Sequence, residues 1–322
     1  MISLDDKILQ IIRRHEPQDF KNFAEISLEG TALVHIVDWK NTKVVIKKLV
    51  KSSIKEAINE ICLTGLIGPY PNIITFYGVT KLEDEKQYSL VLEYADSGTL
   101  GKYLRDDTIT FKWENQLKFA KEIASAILWL HDDKGIIHGD LHPNNILIHK
   151  DTIKLADFGR SCLKGSKCYN TEVWGVIPYV DPKMLDRKTL YKLNEKSDIY
   201  SLGVIFWELT SRSFPFNYET KDNHIVMLEI LNGVREKPIP NTNVKFIEFY
   251  QKCWEQEPDK RPNIRQVNSE INSIDSENNN NVCTVFYSKE KKTSEEIEIE
   301  DSDLSNCDKE CDLNAIMTFQ DS

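Results

Sequence analysis

Two Asp and one Asn stand out for what their types and spacing could do. HGDLHPNNILI, from His138 to Ile148, carries Asp140 and, five residues on, Asn145. LADFGR, from Leu155 to Arg160, carries Asp157, twelve residues beyond Asn145. Carboxylates can orient a hydroxyl or hold a cation, and a carboxamide adds a neutral oxygen donor. Taken alone, Asp140 reads as a turn or helix cap. Two motifs in fixed order, joined by the hairpin-like HKDT (His149 to Thr152), make coincidence a poor account of the set.

The elements that must position these residues fall into two textures. Between Phe23 and about Glu93, ALVHIVDW, KVVIKKL, NIITFYGV and YSLVLEY read as strands. One helical stretch, about Ser53 to Leu66, interrupts them; its two Ser would cap it, and Ile54, Ile58, Ile61 and Leu63 form an apolar face. After the Ser97–Gly98 turn the pattern becomes helical. Trp113 to His131 reads as a long amphipathic helix, and Ser197 to Ser211 as a buried one. Further helices are expected near His224–Leu231 and Val244–Gln256. The fold class is therefore α+β, a small β-rich lobe followed by a larger helical one. Residues 1–20 read as a leader in which ILQIIRR forms a short helix.

Composition narrows the function classes. The 322 residues carry a formal net charge of −10. Residues 276–322 hold 12 Asp/Glu and 4 Lys, so −8 of that charge sits in a polar, acidic tail that reads as disordered. No basic face dominates the rest, which argues against a nucleic-acid partner. No apolar run approaches the ~18 residues of a membrane span. The seven Cys are scattered and read as reduced thiols, and the N-terminus has no secretory pattern, so a cytoplasmic setting is expected. The tail is a candidate for recruiting partners.

From about Phe20 to Ile274 the chain resembles a eukaryotic protein kinase domain. YSLGVIFWEL and the CWEQEPDKRP segment are most similar to the tyrosine-kinase-like or tyrosine-kinase branches. The resemblance implies a bilobal kinase fold: a kinase domain over 21–275, with an antiparallel β-sheet N-lobe over about 21–93 containing one helix and a mainly α-helical C-lobe over about 96–275. It implies ATP and Mg2+ as cofactors and a protein as substrate. By it, Asp140 is the catalytic base, and Asn145 and Asp157 are the Mg2+ ligands. Lys47 grips the α- and β-phosphates, with Lys48 the competitor; strand alternation puts Lys47 on one face with Val45. The helical partner of Lys47 is Glu60, or Glu56 one turn earlier. The nucleotide pocket is implied at Ile26, Val34, Val45, Leu92 and Leu147, with the backbone of Glu93 and Ala95 reading the adenine edge. Asp198 braces the catalytic loop, Gly203 allows close packing, and His138 and Phe158 link the lobes.

The chain departs from that pattern at several places. Ser27, Glu29 and Ala32 stand where the family's loop glycines belong, and only Gly30 survives, at a variable position. A Glu side chain turned inward there would cost roughly 3 kcal/mol against a phosphate about 5 Å away at an effective dielectric of about 20. Val45 replaces a small Ala over the adenine. Gly139 replaces the Arg that receives a phosphorylated activation loop, so control through Ser161, Ser166, Tyr169 or Thr171 is not expected. His142 replaces a Lys that steadies the γ-phosphate in Ser/Thr kinases, and Val176 a Thr that contacts the catalytic Asp. Lys183, in Asp-Pro-Lys, replaces the Glu that would pair with Arg261, so repulsion or local rewiring is expected there. Two readings follow: an ATP-dependent protein kinase acting on Ser/Thr or with dual specificity, or a pseudokinase scaffold binding partner proteins.

Overall fold

Apolar residues alternating between Phe20 and Glu93 build a sheet with two apolar faces. The computed structural model describes residues 12–29, 32–49, 54–82, 88–166, 175–186, 188 and 191–274. β1 (Arg14–His15), β2 (Phe20–Glu29), β3 (Ala32–Trp39), β4 (Thr42–Leu49), β5 (Phe76–Thr80) and β6 (Ser89–Glu93) form one sheet in the order β1-β5-β6-β4-β3-β2. β1 runs parallel to β5, and the other pairings are antiparallel. One face buries Phe20, Val37, Trp39, Val44, Ile46 and Val91. The other buries Ala32, Leu49, Val79 and Leu90 against Ala57 and Ile61 of helix α1 (Ile54–Ile67). The two-residue strand period then carries Val45 and Lys47 to the α1 side. The expected Ser cap of α1 lies outside the described residues.

The segment expected to be a leader supplies β1; residues 1–11, which hold most of the expected ILQIIRR helix, lie outside the described residues. Val79 N donates to Arg13 O at 2.9 Å. His15 is buried, with Nε2 2.9 Å from Tyr77 O and its ring edge-on to Trp39 at 4.9 Å. Pairing with β5 satisfies backbone groups and buries an aromatic contact. β2 also begins before the expected first strand and supplies Ile26, which is exposed.

The helical part holds α2 (Leu100–Arg105), α3 (Trp113–Leu128), the strands β7 (Ile136–Ile137), β8 (Ile146–His149), β9 (Thr152–Leu155) and β10 (Cys162–Leu163), and then α4 (Pro182–Leu185), α5 (Glu195–Ser211), α6 (Asn223–Leu231), α7 (Val244–Cys253) and α8 (Ile264–Ser273). The long helix expected to reach His131 leaves α geometry at Trp129 and continues as one π-helical turn to Lys134. β8 and β9 pair as the expected hairpin, with Lys150 and Asp151 at φ 49° and 58° in the turn. Two such residues in the left-handed region match the twist that a tight hairpin needs. α5 starts two residues before the expected Ser197, because Asn194 and Ser197 close a reciprocal cap.

α5 is the C-lobe's axis: every residue from Ser197 to Leu209 is buried. Gly203 is the point of closest approach to α7 and the residue that follows it. A Cβ built there would lie 2.8 Å from Trp254 N and 3.0 Å from Tyr250 O. Both are backbone atoms, so neither can rotate away. Gly203→Ala is expected to cost about 1–3 kcal/mol by overpacking, read as a lower urea midpoint with unchanged m-value.

Among the described residues, no helix is long and apolar enough to cross a membrane. Cys253 is a buried thiol, but Cys162 is held in a disulfide, so the expectation that every Cys is reduced does not hold. Tyr169, Thr171 and the acidic tail lie outside the described residues.

Candidate active site

Three segments converge where the β-rich and helical parts meet. β4 delivers Lys47, α1 delivers Glu60, and the loop after β9 delivers Asp157. Lys47 Nζ lies 2.8 Å from Glu60 Oε1 and 2.8 Å from Asp157 Oδ1. The choice left open between Glu60 and Glu56 is thereby decided. Both lie on one face of α1, but Glu60 is buried and Glu56 is exposed. Burial alone would lower the pKa of Lys47, but Asp157 and Glu60 outweigh it and hold the ammonium above the ordinary Lys range. Asp157 is displaced downward, since Lys47 overcomes its burial. Glu60 is displaced upward by burial, with a further push from the charge on Asp157.

Asp157 has φ 62°, a left-handed backbone at a non-Gly residue. Such a conformation costs roughly 1–2 kcal/mol and persists where surroundings over-determine it. Here the carboxylate accepts the Gly159 N–H at 3.2 Å as well as meeting Lys47.

The catalytic-loop candidates hang from α5. Asp198 accepts the backbone N–H of His138 at 2.8 Å and of Gly139 at 2.9 Å, and lies 2.7 Å from His131 Nε2. Its carboxyl is pushed up by burial, but these contacts prevail and lower its pKa. Gly139 has φ 78°, and a Cβ there would meet Leu193 Cδ2 at 2.7 Å and Arg160 O at 2.9 Å. The missing Arg at this position is thus coupled to local packing that has closed over a glycine. His138 Nδ1 accepts the Asp140 N–H at 3.3 Å, so Nε2 carries the proton toward Ala156 O at 3.1 Å. Its ring lies 5.4 Å from that of Phe158. Asn145 Nδ2 donates to Asp140 O at 2.8 Å, which leaves Oδ1 as an acceptor.

Two cation-capable side chains flank Asp140. His142 Nε2 is 3.8 Å from Oδ1, and Arg160 Nε is 3.5 Å from Oδ2. His142 Nδ1 accepts the Asn144 N–H at 3.3 Å, capping the short 3-10 turn Pro143–Asn145. Burial lowers its pKa, so the ring is neutral near pH 7.

Strand register sets several of the residues implied for the adenine pocket beside one another. Val34 pairs with Lys47, and Val45 with Leu92. Leu147 lies on β8, bridged to Thr99. Leu92, Ala95 and Leu147 are partly buried against the main core. Glu93 is anchored away from solvent by Thr75 N at 3.0 Å, Thr75 Oγ1 at 2.8 Å and Lys154 Nζ at 3.1 Å. Ala32 is buried. Residues 30 and 31 lie outside the described residues, as do the side chains of Ser27 and Glu29, so the expected effect of Glu29 on phosphate has no structural counterpart here.

Two residues escaped the sequence reading. Of the two outcomes expected at Lys183, local rewiring occurs and repulsion does not: Asp181 takes Arg261 in a fully buried pair at 2.7 Å. Lys183 turns instead to Glu257, also at 2.7 Å. The carboxylate has moved two positions earlier, within the same Asp-Pro-Lys triplet. Arg160 is the other, and its signal was its place directly after Asp-Phe-Gly.

Comparison with known proteins agrees with this geometry. The family model described as protein kinase domain matches residues 29–271. Protein R826 of Acanthamoeba polyphaga mimivirus, provisionally named a serine/threonine-protein kinase/receptor, is 31% identical over 259 residues, covering 77% of this chain and 15% of its own. The human serine/threonine-protein kinase Nek10 is 28% identical, covering 88% of this chain and 23% of its own. The Arabidopsis thaliana serine/threonine/tyrosine-protein kinase HT1 is 29% identical, covering 64% and 52%. The chain spans between 15% and 52% of the length of these relatives. With its family match over 29–271 and an Asp-Phe-Gly Asp ion-paired to a strand Lys, the chain belongs to the protein kinase domain family.

Proposed function

We propose that this protein transfers the γ-phosphate of ATP to a protein hydroxyl, with Ser/Thr or dual specificity. The observation that carries this reading is Lys47 meeting both Glu60 and Asp157 at 2.8 Å. A buried cation held between two carboxylates, with all three groups shifted in pKa, is a charge cluster of the kind that functional sites assemble. In the reaction, the acceptor oxygen bonds the γ-phosphorus as the bond to the β–γ bridging oxygen breaks. That electron pair leaves with ADP, and the hydroxyl proton passes to Asp140 and on to solvent.

Asn145 and Asp157 fit Mg2+, since Oδ1 of Asn145 and the carboxylate of Asp157 are hard oxygen donors. Among the described residues no cluster of three or more His, Cys, Asp or Glu could hold a metal by itself. That agrees with an ion that takes one or two protein oxygens and completes its shell with phosphates and water. When bound, Mg2+ would neutralise charge on the β- and γ-phosphates. Lys47 holds the α- and β-phosphates, while Ile26, Val34, Val45, Leu92 and Leu147 enclose the adenine and the backbone of Glu93 and Ala95 reads its edge. A cytoplasmic setting supplies ATP. The acidic tail is a site for partner proteins.

ATP with Mg2+ is expected to raise the melting temperature and to label a generic protein substrate; ligand at 100 times its Kd adds about 2.7 kcal/mol to stability. Chelation with EDTA is expected to stop labelling. Lys47→Met should abolish the nucleotide-dependent shift. A wild-type chain that shows no shift at millimolar ATP and Mg2+ removes this reading.

A further inference from the structure

Phosphoryl transfer needs positive charge around the transferring group. On the α- and β-phosphate side that charge is Lys47. On the acceptor side the position of the Ser/Thr-kinase Lys holds His142, which cannot supply it. Its Nδ1 is committed as acceptor of the Asn144 N–H, and protonation would break that bond. Arg160 lies on the opposite edge of the same carboxylate, with Nε 3.5 Å from Asp140 Oδ2.

We propose that Arg160 is a catalytic residue of this chain, an in-cis cation that holds the γ-phosphoryl oxygens beside Asp140 in place of a catalytic-loop Lys. This rests on the kinase reading above. Three observations carry it.

First, position: Arg160 follows Asp-Phe-Gly directly, so Asp157 and Arg160 bracket the metal-side and base-side groups from one short segment. The loop is fixed at both ends of that step. Gly159 N bonds Asp157 Oδ1 at 3.2 Å, and Arg160 O packs against Gly139. Second, space: a Cβ at Gly175 would lie 3.1 Å from Asp140 Oδ1 and 3.8 Å from Arg160 Nη1. Gly175 therefore passes against both side chains and presents no side chain of its own. Third, chemistry: a guanidinium is always charged and carries five N–H donors in a planar fork. It can face a carboxylate and a phosphoryl oxygen together, which a neutral imidazole with one N–H cannot. The Arg160 side chain is 34% exposed, beside an Asp140 that is 18% exposed.

The departure at His142 and the Arg at 160 thus form one exchange, a cation moved from the catalytic loop to the residue after Asp-Phe-Gly. The test compares binding of ADP and of the non-transferable analogue β,γ-imido-ATP, both with Mg2+, to the whole chain, its Arg160→Ala variant and an Arg160→Ala/His142→Lys double variant. Arg160→Ala is expected to weaken the analogue about tenfold while leaving ADP within about twofold, because only the analogue has a γ-phosphate. In the transfer assay it should lower kcat roughly a hundredfold, the scale of losing one charge-stabilising donor. His142→Lys in that background should restore at least part of both, by returning a cation to the catalytic loop.

Equal weakening of ADP and the analogue would overturn the proposal, since it would mark a structural role. Unchanged analogue binding, or a kcat that stays level or rises, would also overturn it. A wild-type chain that transfers nothing, yet loses analogue affinity on Arg160→Ala, would sink the catalytic reading and leave the γ-phosphate contact standing.

Discussion

Asp140→Asn is expected to lower kcat by roughly two to four orders of magnitude, with the ATP-dependent rise in melting temperature intact. The carboxamide keeps the shape of the side chain, but it cannot take a proton and gives up the charge that faces Arg160. The loop that carries it is held by groups the substitution does not touch. Asp198 binds the His138 and Gly139 amides, His138 Nδ1 binds the Asp140 amide, and Asn145 Nδ2 binds the Asp140 carbonyl. Nucleotide, by contrast, is gripped from Lys47 and the β4 side, so binding and turnover should separate. Steady-state kcat and the KM for ATP, measured beside a thermal melt, read both. Lys47→Met is the counterpart: it should lose the melting shift as well, because Glu60 and Asp157 are then left facing each other without their shared cation. An Asp140→Asn protein with wild-type kcat would exclude Asp140 as the base.

Much of this site was legible because its positions follow from short-range rules. The strand period alone puts Lys47 with Val45 and sets Lys48 on the other face. The hairpin HKDT announces itself through turn-prone residues, and Asp140, Asn145 and Asp157 follow from spacing along one continuous stretch. Glu60 was less determined. Helical periodicity places Glu56 and Glu60 on one face, and only the docking of α1 against β4 separates them. β1 was illegible for a different reason. Two residues carry no period, and their strand exists because β5 offers a parallel edge and Trp39 a ring for His15.

Arg160 and Asp181 mark a second limit. A motif read residue by residue reports a loss at His142 and at Lys183. It does not report where a compensating charge has gone, since that depends on segments brought together from far along the chain. Asp181 and Arg261 are 80 positions apart in sequence. A substitution that looks like a defect in one dimension can be an exchange in three.

The Asp181–Arg261 exchange carries the largest stability effect expected of any single side chain here. Asp181→Ala should cost about 3–5 kcal/mol, the scale for leaving one buried partner of an ion pair uncompensated. Arg261 is fully buried, and all five of its N–H donors are satisfied. Two reach Asp181, at 2.7 and 3.0 Å, and three reach the carbonyls of Glu255 at 2.7 Å, Lys196 at 2.8 Å and Gln256 at 3.1 Å. Its guanidinium also lies 5.2 Å from the centre of the Tyr200 ring, at the heart of α5. Removing the carboxylate strands two donors and a full charge where water cannot enter. It also removes the cap of α4, since Asp181 Oδ1 accepts the Lys183 N–H at 2.9 Å. In a domain of this size the loss should lower the melting temperature by about 6–20 °C. Asp181→Asn, which keeps the cap but not the charge, should fall between wild type and Ala. Lys183→Ala serves as the contrast: its pair with Glu257 is on the surface, and its removal should cost no more than about 1 kcal/mol. If Asp181→Ala and Lys183→Ala cost the same, the buried pair is not what holds α4 and the Arg261 segment against α5.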